Sequence, residues 1–312
     1  MNSRNHIRLV WDRTKTSGPC VLVLGMFDGV HEGHRELIRP AGREAEERNV
    51  PLQVCTFMPH PLQVLRPESA PRMLSTLAEK TEIFRKLGVD EIRVLRFTKE
   101  LASMPPEVFL KQLQEMAAPC AVYAGWNYTF GRAGCGTAQM LEAEGPRYGF
   151  EARILPPVQT EDGMVISSSA IRASLLKGRL AEANIMLGNA YPVSGTVVEG
   201  KHLGHKLGFP TANVAVAAEK LLPDYGVYLC SLREGRRLYR GMVNIGRQPT
   251  LPSGEVTVEA YLLDASPDLY GKYVRLRLLK RIRPEHRFES AELLKEQLEK
   301  DRDTARTYFG MA

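Results

Sequence analysis

Apolar and polar positions follow two different rhythms along this chain. In the first, short apolar runs at 21–27, 52–57, 91–97, 120–124 and 150–155 alternate with segments of helical period at 33–48, 77–87, 107–116 and 137–144. The first helical segment places Leu37, Ile38, Ala41 and Ala45 on one face, Thr76 and Glu79 form a capping box before the second, and Pro105-Pro106 open the third. Strands and helices in alternation predict an α/β domain built on a doubly wound, mostly parallel, Rossmann-like sheet, with ligands beyond the carboxyl ends of the strands. After a helical stretch at 168–187 the period becomes two, with strands at 193–198, 227–233, 237–244, 256–263 and 273–279. Glu234-Gly235 marks a hairpin turn, 221–226 a loop, and 290–308 a closing helix with one charged face. Short antiparallel strands at this spacing predict a small β-barrel. The change of rhythm puts the domain boundary near Leu187-Gly188, giving domains 1–187 and 188–312.

Composition narrows the class. A chain of 312 residues can bury two cores, and 44% hydrophobic with 25% charged residues is the balance of a soluble globular protein. No apolar stretch approaches the ~18 residues of a membrane span, and the first residues lack the apolar core of a signal peptide. Five scattered cysteines show no metal spacing and read as free thiols, so a reducing cytoplasm is expected. The net charge of +6 comes from basic residues interleaved with acids, so no nucleic acid partner is expected and an anionic small substrate accounts for it equally well. The densest basic group, Lys280, Arg281 and Arg283 with Arg275 and Arg277, fits a solvated strand face or a polyanion patch.

The most informative stretch is Gly25-Met26-Phe27-Asp28-Gly29-Val30-His31-Glu32-Gly33-His34, which joins the first apolar run to the first helix. Glycines let backbone approach an anion, a helix start offers unpaired N–H groups and a positive dipole end, and imidazoles three residues apart can donate to phosphate oxygens. The same residues also suit a plain strand-to-helix turn with polar histidines. The agreement of strand, turn and helix favours a phosphate site, with Gly25, Phe27, Asp28 and Gly33 shaping it.

Further segments follow in order: Thr56-Phe57-Met58-Pro59-His60-Pro61, Gly125-Trp126-Asn127-Tyr128-Thr129-Phe130-Gly131, Ser167-Ser168-Ser169-Ala170-Ile171-Arg172, Leu207-Gly208-Phe209-Pro210-Thr211-Ala212-Asn213, Asn244-Ile245-Gly246-Arg247-Gln248-Pro249-Thr250 and Asp268-Leu269-Tyr270-Gly271. Over nearly the whole chain, this ordered set resembles the bacterial bifunctional riboflavin kinase and FMN adenylyltransferase family. The resemblance implies a transferase whose N-terminal domain moves AMP from ATP to FMN, releasing pyrophosphate, and whose C-terminal barrel moves the γ-phosphoryl of ATP to the riboflavin 5′-hydroxyl with Mg²⁺. Small molecules (ATP, riboflavin and FMN) are then the partners, and no membrane is involved.

Residue by residue, the resemblance implies that His31 and His34 hold the ATP phosphates, with Arg172 as a cationic clamp, Ser168 and Ser169 as donors, and Asn127 orienting a reacting phosphate. Ser168 and Ser169 also suit a helix cap, and Asn127 a turn. Glu259 matches the base of the kinase half, although period-two alternation alone makes it a solvated strand glutamate. Thr211 and Asn213 match positions that hold Mg²⁺ and phosphate oxygens, or else are turn residues after Pro210. Phe57, His60, Tyr228 and Asn244 are candidate flavin contacts, and Gly204 and Lys206 candidate phosphate contacts. Leu203 and His205 replace the usual arginines of that last loop, and Tyr261 stands where a histidine is common, so the kinase half departs further from the family pattern. Two other readings stay open at this level: an adenylyltransferase for another phosphorylated cofactor precursor, and a catalytically idle flavin-binding regulator.

Overall fold

The computed structural model describes residues 7–12, 14–15, 18–200, 208–247 and 256–311. They form two compact units, Met1–Ser167 and Ser168–Ala312.

In chain order the first unit contains β1 (Arg8–Trp11), β2 (Cys20–Leu24), α1 (Glu32–Glu47), β3 (Leu52–Met58), α2 (Pro61–Leu65), α3 (Leu77–Lys86), β4 (Glu91–Arg96), α4 (Lys99–Ala102) and α5 (Pro106–Ala117). It continues with β5 (Pro119–Gly125), a two-residue pair β6 (Thr129–Phe130) and β7 (Gly136–Thr137), α6 (Ala138–Glu144) and β8 (Glu151–Leu155). Six strands make one parallel sheet in the order β1-β4-β3-β2-β5-β8. The apolar run of β2 is buried throughout because helices cover both faces of a parallel sheet. Leu22 and Leu24 face Phe109, Leu110, Leu113 and Leu141 of α5 and α6. Val21 and Val23 face the opposite core with Leu37, Ile38, Ala41, Ile83 and Phe84 of α1 and α3. That order reverses direction beside β2, which is followed on one side by β3 and on the other by β5, and such a switch point opens a crevice at the carboxyl edge.

The first apolar run, expected to reach residue 27, ends as a strand at Leu24, because the chain turns into the left-handed region at Phe27 (φ 51°). Strand β1, absent from the pattern reading, is an edge strand held by charge. Arg8 Nε donates to Glu91 at 2.7 Å, and the fully buried Arg93 donates to the Thr14 carbonyl at 2.6 Å and to Glu91 at 3.2 Å.

The second unit opens with α7 (Ser168–Leu176) and α8 (Leu180–Leu187). Then come β9 (Tyr191–Val198), β10 (Thr211–Val216), β11 (Gly226–Glu234), β12 (Arg237–Arg247), β13 (Val256–Leu262), β14 (Tyr273–Pro284) and α9 (Ala291–Phe309). The strands close into an antiparallel barrel, β10-β13-β12-β11-β14-β9. The helical stretch at 168–187 breaks at Gly178 (φ 70°), where a Cβ would also collide with the Arg281 guanidinium. Both of its helices belong with the barrel, so the compact units divide at 167/168, earlier than the expected 187/188. The reason is local hydrogen bonding: Asn184 donates to the Leu278 carbonyl at 3.0 Å and accepts from the Tyr191 N–H at 2.8 Å, while the Asp224 N–H donates to the Leu175 carbonyl at 3.0 Å.

The basic strand β14 turns part of its charge inward instead of presenting a solvated face or an open patch. Arg281 donates to Asp224 and to the Tyr225 carbonyl, both at 2.6 Å. Arg283 reaches both carboxylate oxygens of the buried Asp301, Nε lying 3.1 and 2.9 Å from them, and Gln297 completes that carboxylate's shell at 2.9 Å. This bidentate pair ties α9 to the barrel. Removing one member leaves the other charge buried without its partner, so Asp301→Ala should destabilise the protein by about 3 kcal/mol in urea unfolding, and a change below ~1 kcal/mol would show that α9 is held by apolar packing instead.

Candidate functional site

In the first unit, the stretch from Gly25 to His34 leaves the carboxyl end of β2 beside the switch point and feeds directly into α1. Three of its residues adopt positive φ: Phe27 at 51°, Gly29 at 88° and Val30 at 42°. For an aromatic and a β-branched residue this conformation is strained, by roughly 1–3 kcal/mol each, and persists only where surroundings impose it. Phe27 and Val30 are fully buried, and Phe27 sets its ring edge-on to Phe84 at 5.4 Å and to His34 at 5.2 Å. Gly25 is needed beneath that ring, since a Cβ there would lie 3.0 Å from it.

Asp28, only 2% exposed, points into the protein. Its carboxylate accepts from the Leu74 and Ser75 N–H groups at 3.1 Å each, and the Ser75 hydroxyl in turn accepts from the Gly29 N–H at 2.8 Å. The carboxylate expected near phosphate therefore pins the loop through the backbone of Leu74 and Ser75.

His31 is the N-cap of α1 and makes no side-chain capping bond. Its imidazole stacks on that of His34, with centroids 3.6 Å apart and planes at 18°. Gly33 makes room for this, because a Cβ would press to 3.2 Å from the His31 ring. The Nδ1 atoms of both histidines are buried with no hydrogen-bond partner. Burial, aided by Arg35, lowers the His31 pKa to about 4; burial, then His31 and Lys80, holds His34 well below the ordinary imidazole value. At neutral pH the pair is uncharged, each ring offering one N–H. Two stacked neutral donors at the positive end of a 16-residue helix suit a polyanion that brings its own charge.

Asn127 lies exposed in the turn after β5, across the switch point from the β2 loop. Phe57 and His60 follow β3 on the same carboxyl edge. Phe57 is half-buried, edge-on to Phe97 at 5.8 Å. The His60 side chain is occupied as a helix cap: its Nδ1 accepts from the Leu62 N–H at 3.1 Å, so its ring is fixed by α2. Ser168, Ser169 and Arg172 sit in the first turns of α7, in the second unit, with Ser168 and Arg172 four residues apart along one helix face. Pattern reading missed Lys80, Ser75 and Trp126. Lys80 continues the stripe of Ile83 and Phe84 at helical spacing, and a lysine inside an apolar stripe was the available signal. Trp126 exposes half of its surface beside Asn127.

In the barrel, β10 pairs Asn213 with Glu259 of β13, and β13 pairs Glu259 with Asn244 of β12. Directly opposed residues share a face, so Asn213, Glu259 and Asn244 form a polar row, with Thr211 two residues along β10 on the same side. Glu259 alternates with the buried Val258 and Ala260, and it accepts from the Thr257 hydroxyl at 3.2 Å. Gly200 packs so closely on the Asn213 amide that a side chain there would collide with it. Thr211 and Asn213 offer hard oxygen donors, which fit Mg²⁺ sharing its shell with phosphate, beside the carboxylate of Glu259. Thr211 and Asn213, which could have been turn residues, are strand residues.

Tyr228 is a correction. It is fully buried, its hydroxyl donates to the Asp224 carbonyl, and burial raises its pKa to about 12. It belongs to the barrel core with Cys230 and Leu232 on the same side of β11, and offers no surface to a flavin. Gly204 and Lys206, with Leu203 and His205, lie outside the described residues.

Residues 13–170 match the family model for FAD synthetase, and residues 187–309 match that for riboflavin kinase. The chain belongs to the bifunctional riboflavin kinase/FMN adenylyltransferase family. A family relative of that name from Escherichia coli K12 is 38% identical, covering 94% of this chain and 93% of its own. Another from Bacillus subtilis 168 is 35% identical, covering 93% and 92%. A solved structure named as a macrolide-efflux protein from Streptococcus pneumoniae superposes with a TM-score of 0.86 at 33% identity, covering 96% of this chain and 99% of that one. Among the described residues of this family member, no helix is long and apolar enough to cross a membrane.

The neutral state of His31 has a consequence for stability. Unfolded, the imidazole takes a proton near 6.5, whereas folded it resists until about 4. The unfolded state therefore binds more protons in this window, and stability falls as pH drops from 6.5 towards 4. By pH 5 the loss from His31 alone is about 2 kcal/mol. His31→Gln cannot protonate and should flatten the slope between pH 7 and 5 in urea unfolding; an unchanged slope would mean that His31 titrates normally.

Proposed function

We propose that this chain makes both flavin cofactors from riboflavin, with one chemistry in each unit. The observation that carries this reading is the presence of two separate polar clusters, each in a unit matched to its own activity: the stacked histidines in the first, and the Asn213–Glu259–Asn244 row in the second. ATP serves both reactions, and riboflavin and FMN are the acceptors.

In the first unit, a phosphate oxygen of FMN attacks the α-phosphorus of ATP, and the bond to pyrophosphate breaks. The nucleophile is already anionic, so no strong base is needed, and the protein contributes orientation and charge stabilisation. His31 and His34 donate N–H groups to the phosphates, the α1 N-terminus adds its dipole, and Asn127 orients the reacting group. Ser168, Ser169 and Arg172 lie in the second unit, and any part they take in adenylyl transfer rests on the family resemblance alone. In the second unit the nucleophile is a hydroxyl, so a proton acceptor is required. The Glu259 carboxylate receives that proton, and Asn244 beside it orients the flavin. Thr211 and Asn213 would hold Mg²⁺, which would supply charge neutralisation to the transferring phosphoryl group. The five free thiols accord with a reducing compartment, which we propose to be the cytoplasm.

The test is selective loss. In the full chain with MgATP, Glu259→Gln should lower riboflavin phosphorylation at least about 100-fold while FMN supplied from outside still becomes FAD within twofold of wild type. His31→Ala or His34→Ala should lower FAD formation by about 100-fold or more, so that FMN accumulates from riboflavin. Products separated by chromatography decide the matter. A folded variant that loses both activities together would contradict the assignment of one chemistry to each unit.

A further inference from the structure

Lys80 is an unusual residue to bury. It is 4% exposed, on the first turn of α3, and its Nζ donates to the Met26 carbonyl at 2.9 Å. An ammonium group withdrawn from water costs several kcal/mol unless strongly solvated by protein groups. The same carbonyl accepts from the Thr56 hydroxyl of β3 at 3.0 Å. Two donors from two different elements thus fix one peptide plane, the one between Met26 and Phe27.

That plane matters because Phe27 follows it at φ 51°. The natural relaxation of a left-handed aromatic residue is rotation of the preceding peptide, which would swing the Met26 carbonyl round and return φ to negative values. Lys80 and Thr56 oppose that rotation. Phe27 in turn supports the edge of the His34 ring at 5.2 Å, and His34 carries the stacked His31. A continuous mechanical path therefore runs from the ammonium through the Met26 carbonyl and the Phe27 ring to the imidazole pair. The ammonium also places a fixed positive charge behind the loop, close enough to His34 to disfavour its protonation.

We propose that Lys80 is a positioning residue for adenylyl transfer: by holding the Met26 carbonyl it keeps Phe27 strained and the His31–His34 pair aligned for phosphate. This rests on the reading of the first unit as an FMN adenylyltransferase. It assigns Lys80 no contact with substrate, and its effect reaches the reaction only through the loop.

The experiment uses the full chain and measures both reactions in each variant. Lys80→Met keeps the apolar stem and removes the ammonium; Thr56→Val removes the second donor at nearly constant volume. FAD formation from FMN should lose about 10- to 100-fold in kcat in Lys80→Met and about 3-fold in Thr56→Val, with KM for ATP changed less than 3-fold. Riboflavin phosphorylation should stay within 2-fold in both variants, because it belongs to the other unit. An unchanged kcat for FAD formation in Lys80→Met overturns the proposal, as does a loss confined to KM. If Lys80→Met loses both reactions, the fold has been damaged, and Thr56→Val decides: an unchanged kcat there overturns the proposal and a selective loss supports it. Wild type that makes no FAD from FMN refutes the underlying reading and the proposal with it, whereas active wild type beside an unimpaired Lys80→Met refutes the proposal alone.

Discussion

The buried anchoring of the loop after β2 is the constraint on which the first unit depends. Asp28 accepts from the backbone of Leu74 and Ser75, and the Met26 carbonyl is held from β3 and α3. Neither group faces the crevice. Their joint effect is to impose a backbone that Phe27 and Val30 would not choose, and that backbone delivers two imidazoles to the first turn of α1. Strain and function lie on the same few residues, as expected where a site must be formed before its ligand arrives. The histidines are neutral for the same reason that they are well placed: they are packed and stacked, with both Nδ1 atoms buried.

The second unit meets a different chemical demand with a different architecture. The proposed transfer to a hydroxyl needs a carboxylate with freedom to accept a proton, and Glu259 stands on the partly solvated side of a barrel strand, not in its core. Closure of the barrel removes exposed strand edges and fixes cross-strand register, so Asn213, Glu259 and Asn244 stay opposed across three strands. The charges of Arg281 and Arg283 are drawn inward to Asp224 and Asp301. What looked in sequence like a basic strip is in good part internal scaffolding.

Sequence carried much of this, where one physical rule dominated. The helical period of Leu37, Ile38, Ala41 and Ala45 marks the buried face of α1, and the Thr76–Glu79 capping box opens α3 where expected. The loop of glycines and histidines was legible because strand, turn and helix agreed. Failures came where tertiary contacts outvote local pattern. Strand β10 carries Thr-Ala-Asn after a proline and looks like a turn until its neighbours pair with it. The helical stretch from 168 breaks at the left-handed Gly178, and Arg281, more than a hundred residues away, leaves no room for a side chain there. Tyr228, expected as a flavin contact, shares its side of β11 with Cys230 and Leu232 and is buried with them in the barrel core. Lys80 showed only as a lysine inside an apolar stripe and Ser75 not at all, because they bind backbone groups of a distant loop, and such partners leave no trace in side-chain spacing.

The central claim, that a pre-strained loop holds two neutral imidazoles for the phosphates of ATP, is tested most directly by nitrogen NMR of the full chain labelled in its seven histidines. His31→Gln and His34→Gln assign the two resonances. In the free protein both should show the neutral-imidazole signature at pH 7, with His31 titrating near 4. Adding Mg²⁺ and a non-hydrolysable ATP analogue should move both signals. Either imidazole titrating near 6.5 in the free protein, or no response of the pair to the nucleotide, would contradict the account.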